Sequence, residues 1–499
     1  VAELTLQGLL EAGFVERIDG DASVCVHGIR HDSRAVEPGD LFAAIPGITR
    51  HGAEFAPDAV ARGAVAVLSD RPVEAGVPVA LTDDVLRALA DIARRLYDDP
   101  TAGLAVVGVT GTNGKTTVSY LIESVIARAG HAPAVIGTVS FRGPGGVRAA
   151  THTTPMADDM MRLSRWAAET GATHLVLEVS SHALAMRRAD GVRFEVAAFT
   201  NISQDHLDYH GSFDNYAAAK SRLFLELSPG TSVINVDDEL GASLARRVRG
   251  RVLRCSREGS PDAELRVIES SVDATGTRAR VATPDGEAEL RSPLIGDHNL
   301  ENLLVTLGCG LALSIPLPTV LQALAEAKGA PGRLERVEHD ELVVLVDYAH
   351  TPDAVERVLS AVRPVTRGRL IAVFGCGGDR DRGKRPRMGQ AAVRGADLAI
   401  VTDDNPRTEP PEKILADVVA GIARLGATEL EASALSHAER GYHVCPGRRE
   451  AIRRAIRAAR PDDTVLLLGK GHEDYQIVGT RREHFDDREE AQRALEERV

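Results

Sequence analysis

Between a short apolar run at residues 104–109 and an amphipathic stretch at 118–128 lies Gly111-Thr112-Asn113-Gly114-Lys115-Thr116-Thr117. A glycine-rich turn from a buried strand into a helix lets backbone N–H groups and the helix N-terminus surround phosphate oxygens. Lys115 would then reach the outer phosphates of a nucleotide, and the Thr116 hydroxyl suits a Mg²⁺ ion. The strict Gly-x-x-x-x-Gly-Lys-Ser/Thr spacing needs glycine at position 109, where this chain has Val109, so the match is to a shorter form. Glu178 ends the apolar run 174–177, and His206 sits in Asn201-Ile202-Ser203-Gln204-Asp205-His206-Leu207-Asp208 after the run 196–199. A carboxylate and an imidazole at strand ends can hold the cation that offsets a transferring phosphoryl group, although Glu178 alone reads equally as a polar strand cap. Further on, Gly375-Cys376-Gly377-Gly378-Asp379-Arg380 and Thr402-Asp403-Asp404-Asn405-Pro406-Arg407 each follow a strand-like run. Their guanidinium forks suit carboxylates, and the Asp404 and Asn405 oxygens can accept from an ammonium group.

These residues need strands that end at a common edge. Short apolar runs alternate with amphipathic stretches along the chain, the pattern of βαβ units and parallel α/β sheets. At about 150 residues per domain, 499 residues make roughly three domains. Breaker-rich segments at 98–103 and 328–332 divide the chain near 1–101, 102–330 and 331–499. In the third part, strand-like runs at 342–346, 370–374, 398–402 and 464–468 separated by helical patterns predict a Rossmann-like open sheet, which binds ligands beyond its carboxyl strand ends.

Composition narrows the class. With 43% hydrophobic and 26% charged residues and no low-complexity tract, the chain reads as an ordinary globular protein. It shows neither a secretory leader nor an apolar run of about 18 residues, so the expectation is a cytoplasmic protein without membrane insertion. A net charge of -13 disfavours nucleic acid and requires local cations for any anionic ligand. Cys25, Cys255, Cys309, Cys376 and Cys445 form no metal or disulfide spacing and are expected to be reduced core or near-core residues.

The loop at Gly111 resembles that of the Mur ligases and their folylpolyglutamate synthetase relatives, and the likeness runs the length of the chain. It implies an α/β fold of three domains: a small N-terminal UDP-binding domain, a central P-loop-type ATPase domain with a parallel sheet, and a C-terminal Rossmann-like domain that takes the amino acid. By this resemblance ATP is the co-substrate, held by Gly111 to Thr117 with Asn302 on the nucleotide, Arg333 on the γ-phosphate and Asp347 on the ribose hydroxyls. ATP would bind between the second and third domains. The resemblance also makes Thr116, Glu178 and His206 ligands of Mg²⁺ and Lys220 a carbamylated ligand. From the residues alone, Lys220 reads as a solvated helix lysine.

The same resemblance assigns His31, Ser33 and Thr49 to the nucleotide, and Thr153, Thr154, Ser180 and Arg188 to the sugar and peptide of UDP-MurNAc-L-Ala-D-Glu. Met186 replaces a substrate-binding glutamine of some relatives. Asp404-Asn405-Pro406-Arg407 is the motif of members that add meso-diaminopimelate, with Arg380, Gly469 and Glu473 as further contacts. The implied reaction is ATP-driven amide formation through an acyl phosphate, by a monomer. A lysine-adding paralogue and a folylpolyglutamate-type synthetase are the alternatives within the enzyme class, and a non-catalytic nucleotide sensor is the one outside it. The base that deprotonates the amine is not identified; Asp208 and His210 are the candidates.

Overall fold

The apolar run at 104–109 becomes the strand Ala105–Thr110, and its registers explain where polar residues collect. His174–Glu178 lies parallel on one side with Glu178 opposite Val109, and Val196–Phe199 lies parallel on the other with Phe199 opposite Thr110. Glu178, the loop beginning at Gly111 and the segment after Phe199 therefore leave the sheet together at its carboxyl edge. Pro133–Ile136, Thr231–Asn235 and Arg251–Ser256 extend the parallel order, and the antiparallel hairpin Ser140–Gly143 and Gly146–Ala149 closes one side. Central strands buried on both faces read as unbroken apolar runs, which is how the sequence shows them.

The computed structural model describes residues 4–47, 50–150, 152–227, 229–339 and 341–498. The chain folds as two compact units, residues 1–268, 281–288 and 301–324 in the first and 269–280, 289–300 and 325–499 in the second. Leu265–Asp273, Gly276–Thr283 and Gly286–Ser292 straddle the division.

The first unit also holds a five-stranded sheet in the order Arg17–Asp19, Val79–Leu81, Ala66–Ser69, Asp40–Ala43, Gly28–Arg30, parallel except for its first edge strand. Helix Val85–Leu96 follows it, capped by Asp84, which accepts from Arg87 N. Its buried Val85, Leu89, Ile92 and Leu96 share one face and belong to the same hydrophobic core as Val106, Met160 and Leu177. The two sheets of this unit thus share a core across the turn at Asp98 and Asp99. Asp99 is fixed there by Arg94 at 2.8 Å and Arg193 at 2.9 Å.

The second unit carries a six-stranded sheet in the order Glu335–Val337, Val343–Asp347, Thr464–Leu468, Leu370–Cys376, Leu398–Asp403, Gly441–Val444, antiparallel only at its first edge. Successive strand residues alternate between two cores. Leu345, Ala372, Phe374 and Leu466 pack with helices Pro352–Val362, Lys384–Gly395 and Pro411–Ala423. Val344, Val346, Ile371 and Leu467 pack with helices Arg448–Ala458 and Asp487–Glu496. This is the expected Rossmann-like sheet, with Leu370–Cys376 and Leu398–Asp403 one or two residues longer than their apolar runs.

All five cysteines are free thiols, and four are buried. Cys25 departs from the expectation of a core residue: in the strand Cys25–Val26 alternation turns Val26 inward and leaves Cys25 exposed. No helix among the described residues is long and apolar enough to cross a membrane.

The helices of the second core are tied by Arg448 and Asp487, both 0% exposed, with Nε to Oδ1 at 2.7 Å and Nη2 to Oδ2 at 2.5 Å. Asp487→Ala would leave a buried guanidinium without its carboxylate. It should cost about 3–5 kcal/mol, read as the unfolding free energy in urea, and an unchanged value would show that the pair contributes nothing.

Candidate active site

The loop after Ala105–Thr110 is shaped by Gly114, whose φ of +87° favours glycine and whose Cβ position would lie 2.3 Å from Asn302 Oδ1. Helix Lys115–Arg128 starts at once, so its first N–H groups face the loop. Lys115 Nζ curls back to donate to the carbonyls of Gly111 at 2.8 Å and Thr112 at 3.0 Å. The segment after Val196–Phe199 braces the loop. Ser203 N donates to Thr112 Oγ1 at 3.0 Å, Thr200 Oγ1 donates to Asn113 O at 2.6 Å, and Asn113 N donates to Asn201 Oδ1 at 3.0 Å. Thr112 Oγ1 also meets Tyr216 OH at 2.8 Å. The loop residues and Asn302 are therefore brought together as the sequence suggested, with Thr117 buried beneath.

Glu178 is 1% exposed and anchors a second layer. Its Oε2 accepts from Thr116 Oγ1 at 2.8 Å and Thr138 Oγ1 at 3.0 Å, and its Oε1 from Thr138 N at 3.0 Å. Thr138 Oγ1 reaches Thr153 Oγ1 at 3.1 Å. Thr154 Oγ1 donates to Glu178 O at 2.7 Å and accepts from Ser180 N at 3.1 Å. Arg188 Nη1 donates to Thr154 O at 3.0 Å. The predicted Thr116, Thr153, Thr154, Glu178, Ser180 and Arg188 thus form one network. Thr138 belongs to it and was missed, although its place just past the strand Pro133–Ile136 marks it as a carboxyl-edge residue. Burial lowers the Arg188 guanidinium, and its Nε is buried without a hydrogen-bond partner. Met186 is part of the site: its Sδ lies 3.1 Å from Arg188 Nη2.

Lys220 is not the solvated lysine its sequence context suggests. It is 1% exposed and donates to Gly111 O at 2.7 Å, the carbonyl that Lys115 also contacts. Burial, and after it the Lys115 charge, push its ammonium well below the usual lysine range. His206, with φ +51°, has a half-exposed side chain, its ring 4.8 Å from that of His182 and its Nε2 3.6 Å from Asp205 Oδ2. His182 stacks 4.1 Å from Tyr209 and 5.4 Å from His210, and His210 Nε2 meets Ser181 Oγ at 3.1 Å. Burial and then the neighbouring His206 lower both His182 and His210. His182 was also missed, although it lies four residues after Glu178.

At the N-terminal end, His31 Nδ1 lies 2.9 Å from both oxygens of Asp158, which also accepts from His31 N at 3.1 Å. Burial opposes a charged imidazole, but bonding and attraction to Asp158 outweigh it and raise His31. Ser33 opens the turn Ser33–Ala35, capped by Asp32. Thr49 lies outside the described residues.

In the second unit, Asp347 accepts from Leu334 N at 2.9 Å and Ala349 N at 2.8 Å, and burial raises its carboxyl against the pull of Arg333. Arg333 lies over the Tyr348 ring at 5.1 Å. A Cβ on Gly377 would stand 2.9 Å from Arg407 Nη1 and 3.7 Å from Arg380 Cγ, so glycine leaves room for the Arg407 guanidinium beside the Arg380 stem. Arg407, at φ +53°, is held by Ile477 O at 3.0 Å, and its Nη1 donates to Gly378 O at 2.9 Å. Asn405 Nδ2 donates to Glu473 Oε2 at 3.0 Å. Pro406 O packs where a Cβ on Gly378 would intrude, and Gly469 lies against Asp404 Oδ2. Asp404 to Arg407, Arg380, Gly469 and Glu473 share one sheet edge.

Three family models match the chain: the Mur ligase family, catalytic domain, at residues 25–97; the Mur ligase middle domain at 109–310; and the Mur ligase, glutamate ligase domain, at 332–471. A UDP-N-acetylmuramoyl-L-alanyl-D-glutamate–2,6-diaminopimelate ligase of Synechococcus elongatus is 45% identical over 487 residues, 95% of either chain. One of Geobacter metallireducens is 45% identical over 490 residues, 96% of either chain. The chain belongs to the Mur ligase family. A solved structure of a ligase of that name has a TM-score of 0.73 at 35% identity and covers 99% of both chains. The folylpolyglutamate synthase of Mycobacterium tuberculosis shares the fold, with a TM-score of 0.58 at 17% identity over 76% of this chain and 92% of its own. The three-domain α/β architecture is that of the Mur ligases.

In this Mur ligase the Glu178 carboxylate depends on Thr138. Thr138→Val keeps the shape and removes the hydroxyl donor, and should cost about 1–3 kcal/mol of stability. A thermal unfolding midpoint equal to that of the parent would show that the hydroxyl does not support Glu178.

Proposed function

We propose that this Mur ligase joins meso-diaminopimelate to the side-chain carboxylate of D-Glu in UDP-MurNAc-L-Ala-D-Glu, converting ATP to ADP and phosphate. The named activity of its full-length relatives supports the reaction class. The observation that carries the choice of amino acid is that Arg407 Nη1 and Arg380 Cγ both flank Gly377, on the sheet edge that also bears Asp404, Asn405 and Glu473. Lysine lacks the second carboxylate and would leave an arginine unpaired. The Asp404 to Arg407 motif therefore argues against a lysine-adding enzyme, and the fold likeness to folylpolyglutamate synthase carries no substrate.

The ATP phosphates lie on Gly111 to Thr117, with Asn302 on the nucleotide and Asp347 on the ribose. Lys115 and Arg333 spread charge as the γ-phosphoryl passes in line to the D-Glu carboxylate. The diaminopimelate amine attacks the acyl phosphate, and phosphate leaves from the tetrahedral intermediate. Thr153, Thr154, Ser180 and Arg188 hold the sugar and dipeptide, with the Arg188 guanidinium meeting an anionic group; His31, Ser33 and Thr49 serve the uridine end. The division at 1–101, 102–330 and 331–499 assigns the nucleotide sugar, ATP and the amino acid to successive domains. The enzyme is placed as a monomer acting in the cytoplasm, where its nucleotide-linked precursor and ATP would meet.

Thr116, Glu178, His206 and a carbamylated Lys220 would hold Mg²⁺. The fit rests on hard donors: the Thr116 hydroxyl and the Glu178 carboxylate are already 2.8 Å apart. Among the described residues no group of three or more His, Cys, Asp or Glu is arranged for a metal. Mg²⁺ takes one or two carboxylates and fills its shell with phosphate oxygens and water. When bound, Mg²⁺ would neutralise charge on the phosphoryl oxygens.

Two experiments follow. Phosphate release with ATP and UDP-MurNAc-L-Ala-D-Glu should require meso-diaminopimelate and favour it over L-lysine by about tenfold or more, the worth of an unpaired arginine. Arg407→Ala should narrow that preference, and release that ignores the added amine would sink the ligase reading. For Lys220, the neutral amine adds CO2 and loses a proton to give the carbamate, so ¹³C-bicarbonate should yield a carbamate NMR signal that Lys220→Ala removes. The same variant should turn over about a hundredfold more slowly, and full turnover would refute the assignment.

A further inference from the structure

One buried cation on this sheet edge has no role in the reaction above. Lys470, in the turn after Thr464–Leu468, is 0% exposed. Its Nζ donates to Tyr475 O at 2.5 Å and Asn405 Oδ1 at 3.4 Å, and lies 3.7 Å from both Asp404 Oδ1 and Glu473 Oε2. Burying an ammonium is costly, and an apolar side chain would fill this space at less cost.

The neighbouring charges do not cancel. Arg448 and Asp487 also face Lys470 and neutralise each other at 2.5 Å. Asp404 and Glu473 set two negative charges against the single charge of Lys470. Glu473 Oε2 is taken by Asn405 Nδ2, whereas Asp404 Oδ1 is buried with no hydrogen-bond partner. A buried carboxylate oxygen left unsatisfied is costly unless something completes it.

We propose that Lys470 is a positioning residue for amino-acid selection: lying between Asp404 and Glu473, it holds the two carboxylates as an acceptor pair with one net negative charge, matched to one α-ammonium group of the incoming amino acid. This rests on the diaminopimelate reading. The carboxylate of the same ligand terminus falls to Arg407, so each charge of the zwitterion meets its opposite. Without Lys470 the two acids would share a proton, and Asp404 Oδ1 would turn to Glu473 rather than to the ligand. Burial and then Asp404 already push Glu473 upward, while Lys470, Asn405 and His350 oppose that rise and Tyr475 lies alongside.

The test uses the full-length protein with saturating ATP and UDP-MurNAc-L-Ala-D-Glu, measuring kcat and KM for meso-diaminopimelate between about pH 6 and pH 9. Lys470→Met should raise this KM about tenfold or more, leave the KM for ATP within about twofold, and move the acid limb of kcat/KM up by about one pH unit. The rise has this sign because Glu473 loses the cation that favours its ionised form. Lys470→Arg keeps a cation between the two carboxylates and should hold the KM within about threefold of the parent. An unchanged KM and pH profile in Lys470→Met overturns the inference, as does a Lys470→Arg variant no better than Lys470→Met. Should Lys470→Met not fold, Lys470→Gln, which keeps a donor for Tyr475 O but no charge, decides alone: a KM raised about tenfold supports the inference and an unchanged KM overturns it. Failure of the diaminopimelate reading is separate, since the parent itself would then show no preference for that amino acid.

Discussion

Two lysine side chains converge on one backbone oxygen. Lys115 Nζ and Lys220 Nζ lie 2.8 and 2.7 Å from Gly111 O. The Lys115 charge therefore disfavours a second ammonium at Lys220. Lys220 is buried as well, so it carries both penalties. An anion would relieve them: phosphate on the loop would draw off Lys115, and the carbamate proposed above would reverse the sign of Lys220. The neighbourhood is poised for negative charge although the chain as a whole carries -13.

The placement of that charge follows from parallel sheet geometry. Successive strands of a parallel sheet all end at one edge, so polar residues distant in sequence become neighbours without any long buried loop. In the first unit this brings Gly111, Thr138, Glu178 and Thr200 together. In the second it does the same for Asp347, Cys376, Asp403 and Leu468, with Asp347 opposite Leu468 and Cys376 opposite Asp403. Buried polar groups at such edges must be satisfied internally. Glu178 meets that demand through two threonines, and Asp347 through two backbone N–H groups.

Contiguity decided what was legible. The phosphate loop and the Asp404 to Arg407 turn are continuous segments at strand ends, and both could be placed from apolar patterning alone. Thr138 and Asp158 act through partners 40 and 127 residues away, which no local pattern reveals. Lys220 is different, because its signal was local. Helix Phe213–Leu225 buries Tyr216, Ala219, Lys220, Leu223 and Phe224, so the lysine stands on the apolar stripe of its own helix. Reading residue type before helical phase hid it. Lys470 escaped for a related reason: flanked by glycines in a turn, it has the sequence context of a surface residue, and only the fold buries it.

The phosphate loop and the amino-acid edge solve the recognition of charge in opposite ways. At the phosphate loop, cations press on one carbonyl and an anion brings relief. At the amino-acid edge, Arg407 rests on the Gly378 and Asn405 carbonyls, while the unsatisfied Asp404 Oδ1 faces a lysine beyond hydrogen-bond reach. Carbonyl dipoles compensate a guanidinium less well than a carboxylate does. A ligand terminus bearing both an ammonium and a carboxylate improves both contacts at once, whereas lysine, with an ammonium alone, improves one and encloses the other unpaired. Selectivity of this kind needs no steric exclusion of lysine; it follows from the free energy of the charge left without a partner.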